Sequence, residues 1–86
     1  MAIVTLRYWA AAKEAAGTAE ETVKAETLAD ALAAAGARAS KDARFRAVLA
    51  RSSFLVDGAP VGVRAPDAVI LDNAAVIEVL PPFAGG

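Results

Sequence analysis

The chain has 86 residues, of which 57% are hydrophobic, and its nine basic and ten acidic side chains leave a net charge of −1. This length holds one domain and leaves no room for a second. Because lysines and arginines are spread along the sequence, the electrostatic signature of nucleic-acid or anionic-membrane binding is missing. Cysteine and histidine are both absent, which excludes disulfides, thiol nucleophiles, imidazole bases and the usual zinc ligands.

A domain of this length has a radius of gyration of roughly 12 Å, too small to enclose both a deep pocket and a set of catalytic groups. The composition therefore favours a protein that presents a group to other proteins, and we expect it to bind no cofactor or metal itself. No uncharged stretch approaches the ~18 residues that a membrane helix requires, and the N-terminus has no signal-peptide pattern. The expected location is the cytoplasm.

The first third of the chain predicts a hairpin interrupted by a short helix. Alternation over residues 2–9 predicts a half-buried strand. Its side chains divide into an inner set, Val4, Leu6 and Tyr8, and an outer set, Ile3, Thr5, Arg7 and Trp9. The alanine-rich run 10–16 predicts a short helix that ends at Gly17. Residues 20–25 predict a second strand, which pairs back on the first.

Two further helices are expected in the middle of the chain. Thr27 has the position of an N-cap with Asp30 three residues later, and an apolar stripe with helical spacing follows. The stripe consists of Leu28, Ala31, Leu32 and Ala35. Gly36 is expected to end this main helix. Ser40 is the predicted N-cap of another short helix. The residues that this helix is expected to bury are Phe45, Val48 and Leu49.

The last third predicts strands and turns. Residues 53–57 predict a third strand that closes on the turn pair Asp57-Gly58, and residues 61–63 predict a short edge strand. A second turn is expected at Asp72-Asn73, before a last strand over residues 75–80. This order corresponds to an α+β architecture in which one mixed sheet wraps around one main helix. Residues 1–80 are expected to form the domain and residues 81–86 a C-terminal arm.

The arm consists of Pro81, Pro82, Phe83, Ala84, Gly85 and Gly86. Its prolines disfavour helix and hold the start of the arm extended, which lowers the entropy lost on insertion into another protein. Its glycines have no side chains, so the final carboxylate can pass down a narrow channel to a nucleotide phosphate. Six extended residues span roughly 20 Å. The pattern indicates a carboxylate that another protein activates, against the alternative of a frayed terminus without a function.

The element order, together with the segment from Leu80 to Gly86, resembles the ubiquitin-like β-grasp sulfur carriers, and most closely the family of the molybdopterin synthase small subunit, often called MoaD. The resemblance covers the whole chain, and the di-proline before the diglycine is its most specific element. Residues 72–75 depart from the Asp-Gly-Asp type of turn that relatives usually carry. Because Asn73 tolerates a positive φ, we expect the turn itself to persist.

This resemblance implies a chemistry for Gly86. An E1-like, MoeB-like adenylyltransferase uses ATP to join its carboxylate to AMP, sulfur from a donor protein displaces the AMP, and Gly86 ends as a thiocarboxylate. The arm then enters the MoaE-like large subunit of molybdopterin synthase, in a heterotetramer. There it delivers sulfur to cyclic pyranopterin monophosphate during molybdenum cofactor biosynthesis. In this scheme the chain is a non-catalytic, sulfur-donating subunit.

Strand alternation predicts where such partners bind. In the last strand Glu78 is expected to face water, which places Leu80 on the same outer side, exposed at the root of the arm. By the same rule Trp9 and Leu55 point outward. The first and third strands of a β-grasp sheet both lie beside the last, so these three side chains predict one apolar interface. Its expected rim charges are Arg7 and Lys13.

Alternative interpretations remain open at this point. The chain is also compatible with a β-grasp sulfur carrier for cysteine or thiamin thiazole synthesis, with a ubiquitin-like modifier that forms isopeptide bonds through Gly86, and with a plain interaction domain. Phe83 has two interpretations, a plug for a partner's channel or a residue folded back on the sheet.

Overall fold

The computed structural model describes residues 2–38 and 43–82, and within them the chain forms one five-stranded mixed sheet, three α-helices and a 3₁₀ helix. The elements are β1 (Ala2–Tyr8), α1 (Ala10–Ala16), β2 (Glu20–Ala25), α2 (Leu28–Arg38), α3 (Ala43–Arg51), β3 (Ser53–Val56), β4 (Ala59–Pro60), the 3₁₀ helix (Pro66–Ala68) and β5 (Val76–Leu80). The strand order is β2-β1-β5-β3-β4. β1 and β5 are parallel, and the other neighbours are antiparallel. The predicted α+β architecture is confirmed.

The N-terminal third folds as its sequence predicts. The inner set of β1 is buried, and β2 pairs back on β1. Gly17 has a φ of +76°, and its N–H donates to the carbonyl oxygen of Lys13 at 3.0 Å. A left-handed residue at this position is the usual end of a helix and favours glycine. The end of α1 is therefore encoded locally.

The main helix begins as predicted but ends later. The Asp30 N–H donates to Thr27 Oγ1 at 3.2 Å, which confirms the N-cap. The predicted end at Gly36 is wrong, because α2 continues to Arg38. Gly36 does not have a positive φ. Its helical cost of about 1 kcal/mol is too small to stop a helix that alanines carry forward on both sides.

The second long helix packs against the sheet through the residues predicted for that role. Phe45, Val48 and Leu49 are buried, and the rings of Phe45 and Tyr8 meet edge to face with centroids 5.4 Å apart. The predicted cap Ser40 lies outside the described residues. Arg44 of α3 pairs with Glu14 of α1, with Nη2 to Oε2 at 3.8 Å, and both side chains are largely exposed.

The edge strand forms earlier in the chain than predicted. Asp57 and Gly58 have φ values of +50° and +84°, the sign pattern of the type I′ turn that favours two-residue hairpins. Pairing therefore resumes at once, with Val56 opposite Ala59, and β4 is Ala59–Pro60. The predicted strand over residues 61–63 is wrong, since Gly62 takes a φ of +63° in a turn.

The turn before β5 persists, but a different residue has the positive φ. It is Ala74, at +69°, and not Asn73. Asn73 instead accepts a hydrogen bond at its Oδ1 from the Ile3 N–H at 2.9 Å, and the Ala74 N–H donates to the Ile3 carbonyl oxygen at 2.8 Å. These two hydrogen bonds fix the loop against β1. The positive φ therefore falls on Ala74, whose Cβ makes this backbone conformation strained.

Replacing Ala74 by glycine is expected to stabilise the domain by ~0.5–1 kcal/mol. A Cβ in the left-handed region costs about 1 kcal/mol or more, and glycine avoids this cost at the expense of greater unfolded-state entropy. The urea midpoint should rise without a change in slope. The matched control is Ala75→Gly, at a buried position without a positive φ, which should lower the midpoint. A lower midpoint for Ala74→Gly contradicts the assignment of strain.

The core lies between the inner face of the sheet and the helices. Its largest fully buried side chains are Tyr8, Phe45, Leu6, Leu28, Ile77, Val4 and Val79. The alternate residues of β1 and β5 therefore point to the other face of the sheet, where the candidate site lies. No helix in the described part of the chain is long and apolar enough to cross a membrane.

Candidate partner-docking face

The outer face of the sheet is organised in rows by the strand register. In one row, Arg7 of β1 lies beside Glu78 of β5, which lies opposite Leu55 of β3, which lies opposite Pro60 of β4. In the next row, Leu80 lies opposite Ser53. Parallel pairing of β1 with β5 therefore brings together side chains more than 65 residues apart in sequence.

Trp9 stands at the end of this face where the arm begins. Tyr8 pairs with Val79, so one residue further along the same register Trp9 lies beside Leu80. The Trp9 N–H donates to the Val79 carbonyl oxygen at 3.2 Å, which fixes the backbone. The indole Nε1–H donates to Glu78 Oε1, also at 3.2 Å. The side chain is nevertheless 46% exposed, so a large and oriented aromatic surface faces solvent.

Leu80 and Leu55 extend that surface across β5 and β3. Leu80 is half-buried and not fully exposed as expected, because it is flanked by Trp9 on one side and Ser53 on the other. Leu55 is also half-buried. It lies diagonal to Leu80, a separation that large side chains can bridge. Trp9, Leu80 and Leu55, which we call the apolar patch, are thus brought together as predicted, and Glu78 borders all three.

The two predicted rim charges lie on the elements that flank Trp9 in the chain, Arg7 on β1 and Lys13 on α1. Arg7 forms an ion pair with Glu20, with Nε to Oε2 at 3.5 Å, and both side chains are about half exposed. Exposed pairs of this kind contribute little to stability. Lys13 is exposed and lines a shallow depression together with Trp9. The apolar patch therefore has charged groups at its border.

The last described residues, Pro81 and Pro82, follow directly on the apolar patch. Pro81 is buried and Pro82 is exposed, so the chain reaches solvent at Pro82. Four of the residues that are expected to enter a partner lie outside the described residues, and the last of them carries this chain's reactive carboxylate. They are Phe83, Ala84, Gly85 and Gly86. Their roles therefore stay predictions.

Three contacts of this face could not be predicted from the sequence. The bond between Trp9 and Glu78 joins residues whose proximity depends on the β1–β5 register. Pro60 lies beside Leu55 only because the hairpin turn is two residues long. Asp57 Oδ1 accepts from the Val76 N–H at 2.9 Å and ties the hairpin to the start of β5. The Asp57-Gly58 pair predicts a turn, but it does not predict that the Asp57 carboxylate accepts a hydrogen bond from the Val76 N–H.

A mixed sheet that wraps around one main helix defines a ubiquitin-like β-grasp fold. The ThiS family model matches residues 6–86. The chain therefore belongs to the ThiS family, and the resemblance to β-grasp sulfur carriers is confirmed. No curated protein sequence matches the chain significantly.

Solved structures share this fold at low sequence identity. The small archaeal modifier protein 1 of Methanosarcina acetivorans has a TM-score of 0.84 and 23% identity, covering 100% of this chain and 98% of its own. A protein of Pyrococcus furiosus described as molybdopterin converting factor subunit 1 has a TM-score of 0.77 and 22% identity, covering 95% and 99%. A third is from the complex of subunits 1 and 2 of the Helicobacter pylori molybdopterin-converting factor, with a TM-score of 0.66, 19% identity and coverage of 98% and 99%.

Proposed function

We propose that this chain is the sulfur-carrying small subunit of molybdopterin synthase and that the carboxylate of Gly86 carries the sulfur. Membership of the ThiS family supports the general role of a carrier. The observation that carries the proposal further is the position of the apolar patch, with an exposed tryptophan, at the root of an arm that ends in diglycine. A docking surface beside a narrow arm is consistent with a protein that binds its partner through the surface and transfers a group from the end of the arm.

The proposed chemistry begins at a carboxylate that is unreactive by itself. On an E1-like partner, a carboxylate oxygen of Gly86 attacks the α-phosphorus of ATP and pyrophosphate leaves. Hydrosulfide supplied by a donor protein then attacks the acyl carbon, AMP leaves with its bonding electrons, and loss of the S–H proton gives the thiocarboxylate. In the large subunit the thiocarboxylate sulfur bonds to a carbon of cyclic pyranopterin monophosphate in place of an oxygen substituent, and water cleaves the resulting thioester, so that the sulfur stays on the substrate and Gly86 returns as a carboxylate. The two displacements on the activating partner use pyrophosphate and AMP as leaving groups, which the free carboxylate lacks.

Partners supply the reactivity in this scheme, because the chain has neither cysteine nor histidine. The chain contributes binding energy from Trp9, Leu80 and Leu55, which fixes the root of the arm and so reduces the entropy lost on threading. The Helicobacter pylori structure, a complex of two converting-factor subunits, supports a large-subunit partner here. We propose a heterotetramer in which each of two large subunits receives one arm.

Intact-mass spectrometry tests the carrier chemistry directly. In cells that contain the activating enzyme and the sulfur donor, the chain should gain roughly 16 Da, the exchange of one oxygen for sulfur, at its C-terminus. The matched control is the chain without Gly86, which should show no gain. Ladders of heavier conjugates in place of this gain would indicate a protein modifier.

Capture of partners through the thiocarboxylate form separates the possible pathways. Recovery of the molybdopterin synthase large subunit is the expected result. Recovery of enzymes of cysteine or thiazole synthesis, with the mass gain intact, would retain the carrier and reject the molybdenum assignment.

A further inference from the structure

Glu78 is a charged side chain in the middle of the apolar patch. By strand register it lies beside Arg7 of β1 and opposite Leu55 of β3, and Leu80 follows two residues later on the same face of β5. Its Oε1 accepts a hydrogen bond from the Trp9 indole N–H at 3.2 Å. The side chain is half-buried. A partner that covers the three apolar side chains therefore also covers this carboxylate, because it lies between them.

Neighbouring side chains do not neutralise the negative charge of Glu78. Arg7 forms its ion pair with Glu20 of β2, with Nε to Oε2 at 3.5 Å. Glu78 itself forms no ion pair with any residue in 2–38 or 43–82. Its contact with Trp9 is a hydrogen bond from a neutral group, and a carboxylate can accept about four such bonds. Orienting the indole requires only an acceptor, so the charge of Glu78 is not needed for that contact.

Docking changes the environment of this charge. Charged residues are depleted at the centre of protein interfaces, because a carboxylate that leaves water without a counter-charge is strongly unfavourable. One neutral N–H donor does not offset that loss of hydration. A partner that presents a cation to Glu78 removes the penalty, and a partner without one leaves the carboxylate buried and unpaired. The charge therefore discriminates between apolar surfaces that would otherwise fit the patch equally well.

The geometry of Trp9 and Glu78 indicates which kind of cation fits. Their hydrogen bond holds the N–H edge of the indole against the carboxylate, and the Trp9 side chain remains 46% exposed. A cation that reaches the second oxygen of Glu78 therefore lies next to an aromatic ring. A guanidinium is planar, stacks on aromatic faces and is more weakly hydrated than an ammonium group, so arginine can make both contacts at once.

We propose that the partner protein that binds the apolar patch presents an arginine to Glu78. The guanidinium bonds to Glu78 Oε2 and lies against the Trp9 indole, while apolar side chains around it cover Leu55 and Leu80. This inference rests on the proposed function, because it takes the molybdopterin synthase large subunit as the partner. Glu78 is then the residue of the patch that determines specificity, and the three apolar side chains supply contact area.

Isothermal titration calorimetry of the full chain with the large subunit tests the ion pair through one neutral substitution. Glu78→Gln retains the side-chain shape and an acceptor for the indole N–H, but it removes the charge. The dissociation constant should rise at least about tenfold, because the partner's arginine is left buried without its counter-charge. If no cation meets Glu78, the same substitution should instead tighten binding, because no carboxylate has to leave water.

The matched control is Glu26→Gln. It makes the same change at an exposed glutamate next to Ala25, which pairs with Ala2 at the end of the sheet opposite to Trp9. The affinity for the large subunit should not change. The urea midpoint of every variant checks that the domain remains folded.

A double-mutant comparison separates the charge of Glu78 from its effect on Trp9. In a Trp9→Phe background there is no indole N–H to orient. Glu78→Gln should still weaken binding severalfold in that background if an arginine of the partner is the cause. It should have no effect there if Glu78 acts only by orienting the tryptophan.

The outcomes distinguish this inference from the proposed function. Wild-type binding to the large subunit, combined with unchanged or tighter binding of Glu78→Gln, overturns the inference and retains the proposed function. An effect of Glu78→Gln that disappears in the Trp9→Phe background has the same meaning. A wild-type chain that does not bind the large subunit overturns the proposed function, and with it the partner named here.

Discussion

Removing Gly86 is expected to abolish sulfur transfer completely while the domain stays folded. Without this residue the terminal carboxylate lies one residue, roughly 3.5 Å, short of its position in the activating enzyme and in the large subunit. Misplacement by as little as ~1 Å is enough to cost ~100-fold in rate. The last residue of the core cluster is Val79, well before Gly86, so the urea midpoint should not change. The measurements are thiocarboxylate formation by intact mass and molybdoenzyme activity in cells that lack the native copy.

A matched control keeps the length of the arm. Ala84→Gly alters the same segment, adds flexibility and leaves the terminal pair in place, so it should retain most of the activity. A chain without Gly86 that still supports molybdoenzyme activity would contradict the assignment of the reactive group. Loss of activity together with a lowered unfolding midpoint would contradict the claim that the arm is separate from the fold.

Replacing Trp9 by aspartate is expected to weaken binding to the large subunit by ~2 kcal/mol or more, about a thirtyfold rise in the dissociation constant. The indole is half exposed, is oriented by Glu78 and lies beside Leu80, and tryptophan is enriched among binding hot spots. Leu80→Asp should have an effect of similar size. Isothermal titration calorimetry measures both changes.

Two further variants make this measurement specific. Ile70→Asp changes another exposed apolar residue, which lies at the opposite end of the fold beside Thr27, and it should leave the affinity unchanged. Trp9→Phe retains an aromatic ring but loses the N–H that donates to Glu78, so a smaller loss is expected. Unchanged affinity for Trp9→Asp would reject the apolar patch as a binding site.

Local patterns in the sequence were sufficient to predict most of the helices and strands. Alternation in β1, the αL glycine at position 17 and the cap at Thr27 each depend on residues within a few positions, and each prediction is confirmed. The element order and the C-terminal segment resemble the β-grasp sulfur carriers, and that resemblance implies a strand order in which Trp9, Leu55 and Leu80 share one face. The apolar patch was therefore predicted from strand alternation together with this resemblance.

One error arose inside a helix, and others where distant contacts decide between local options. Gly36 is compatible with both a helix end and a helix interior, and the alanines on both sides carry α2 through it to Arg38. Asn73 tolerates a positive φ, but its side chain is held by Ile3, so the strain falls on Ala74. Leu80 lies on the outer face as predicted, yet neighbours on β1 and β3 half cover it. None of these contacts can be inferred from the neighbouring residues in the sequence.

The position of β5 has a mechanical consequence. Its ladder to β1 is parallel and its ladder to β3 is antiparallel, so both edges of the strand are hydrogen-bonded. Tension on the arm is directed along this strand and loads the bonds of both ladders in shear, all at once, instead of opening them one after another. Withdrawal from a tight channel should therefore extract the arm intact and leave the domain ready for another round of loading.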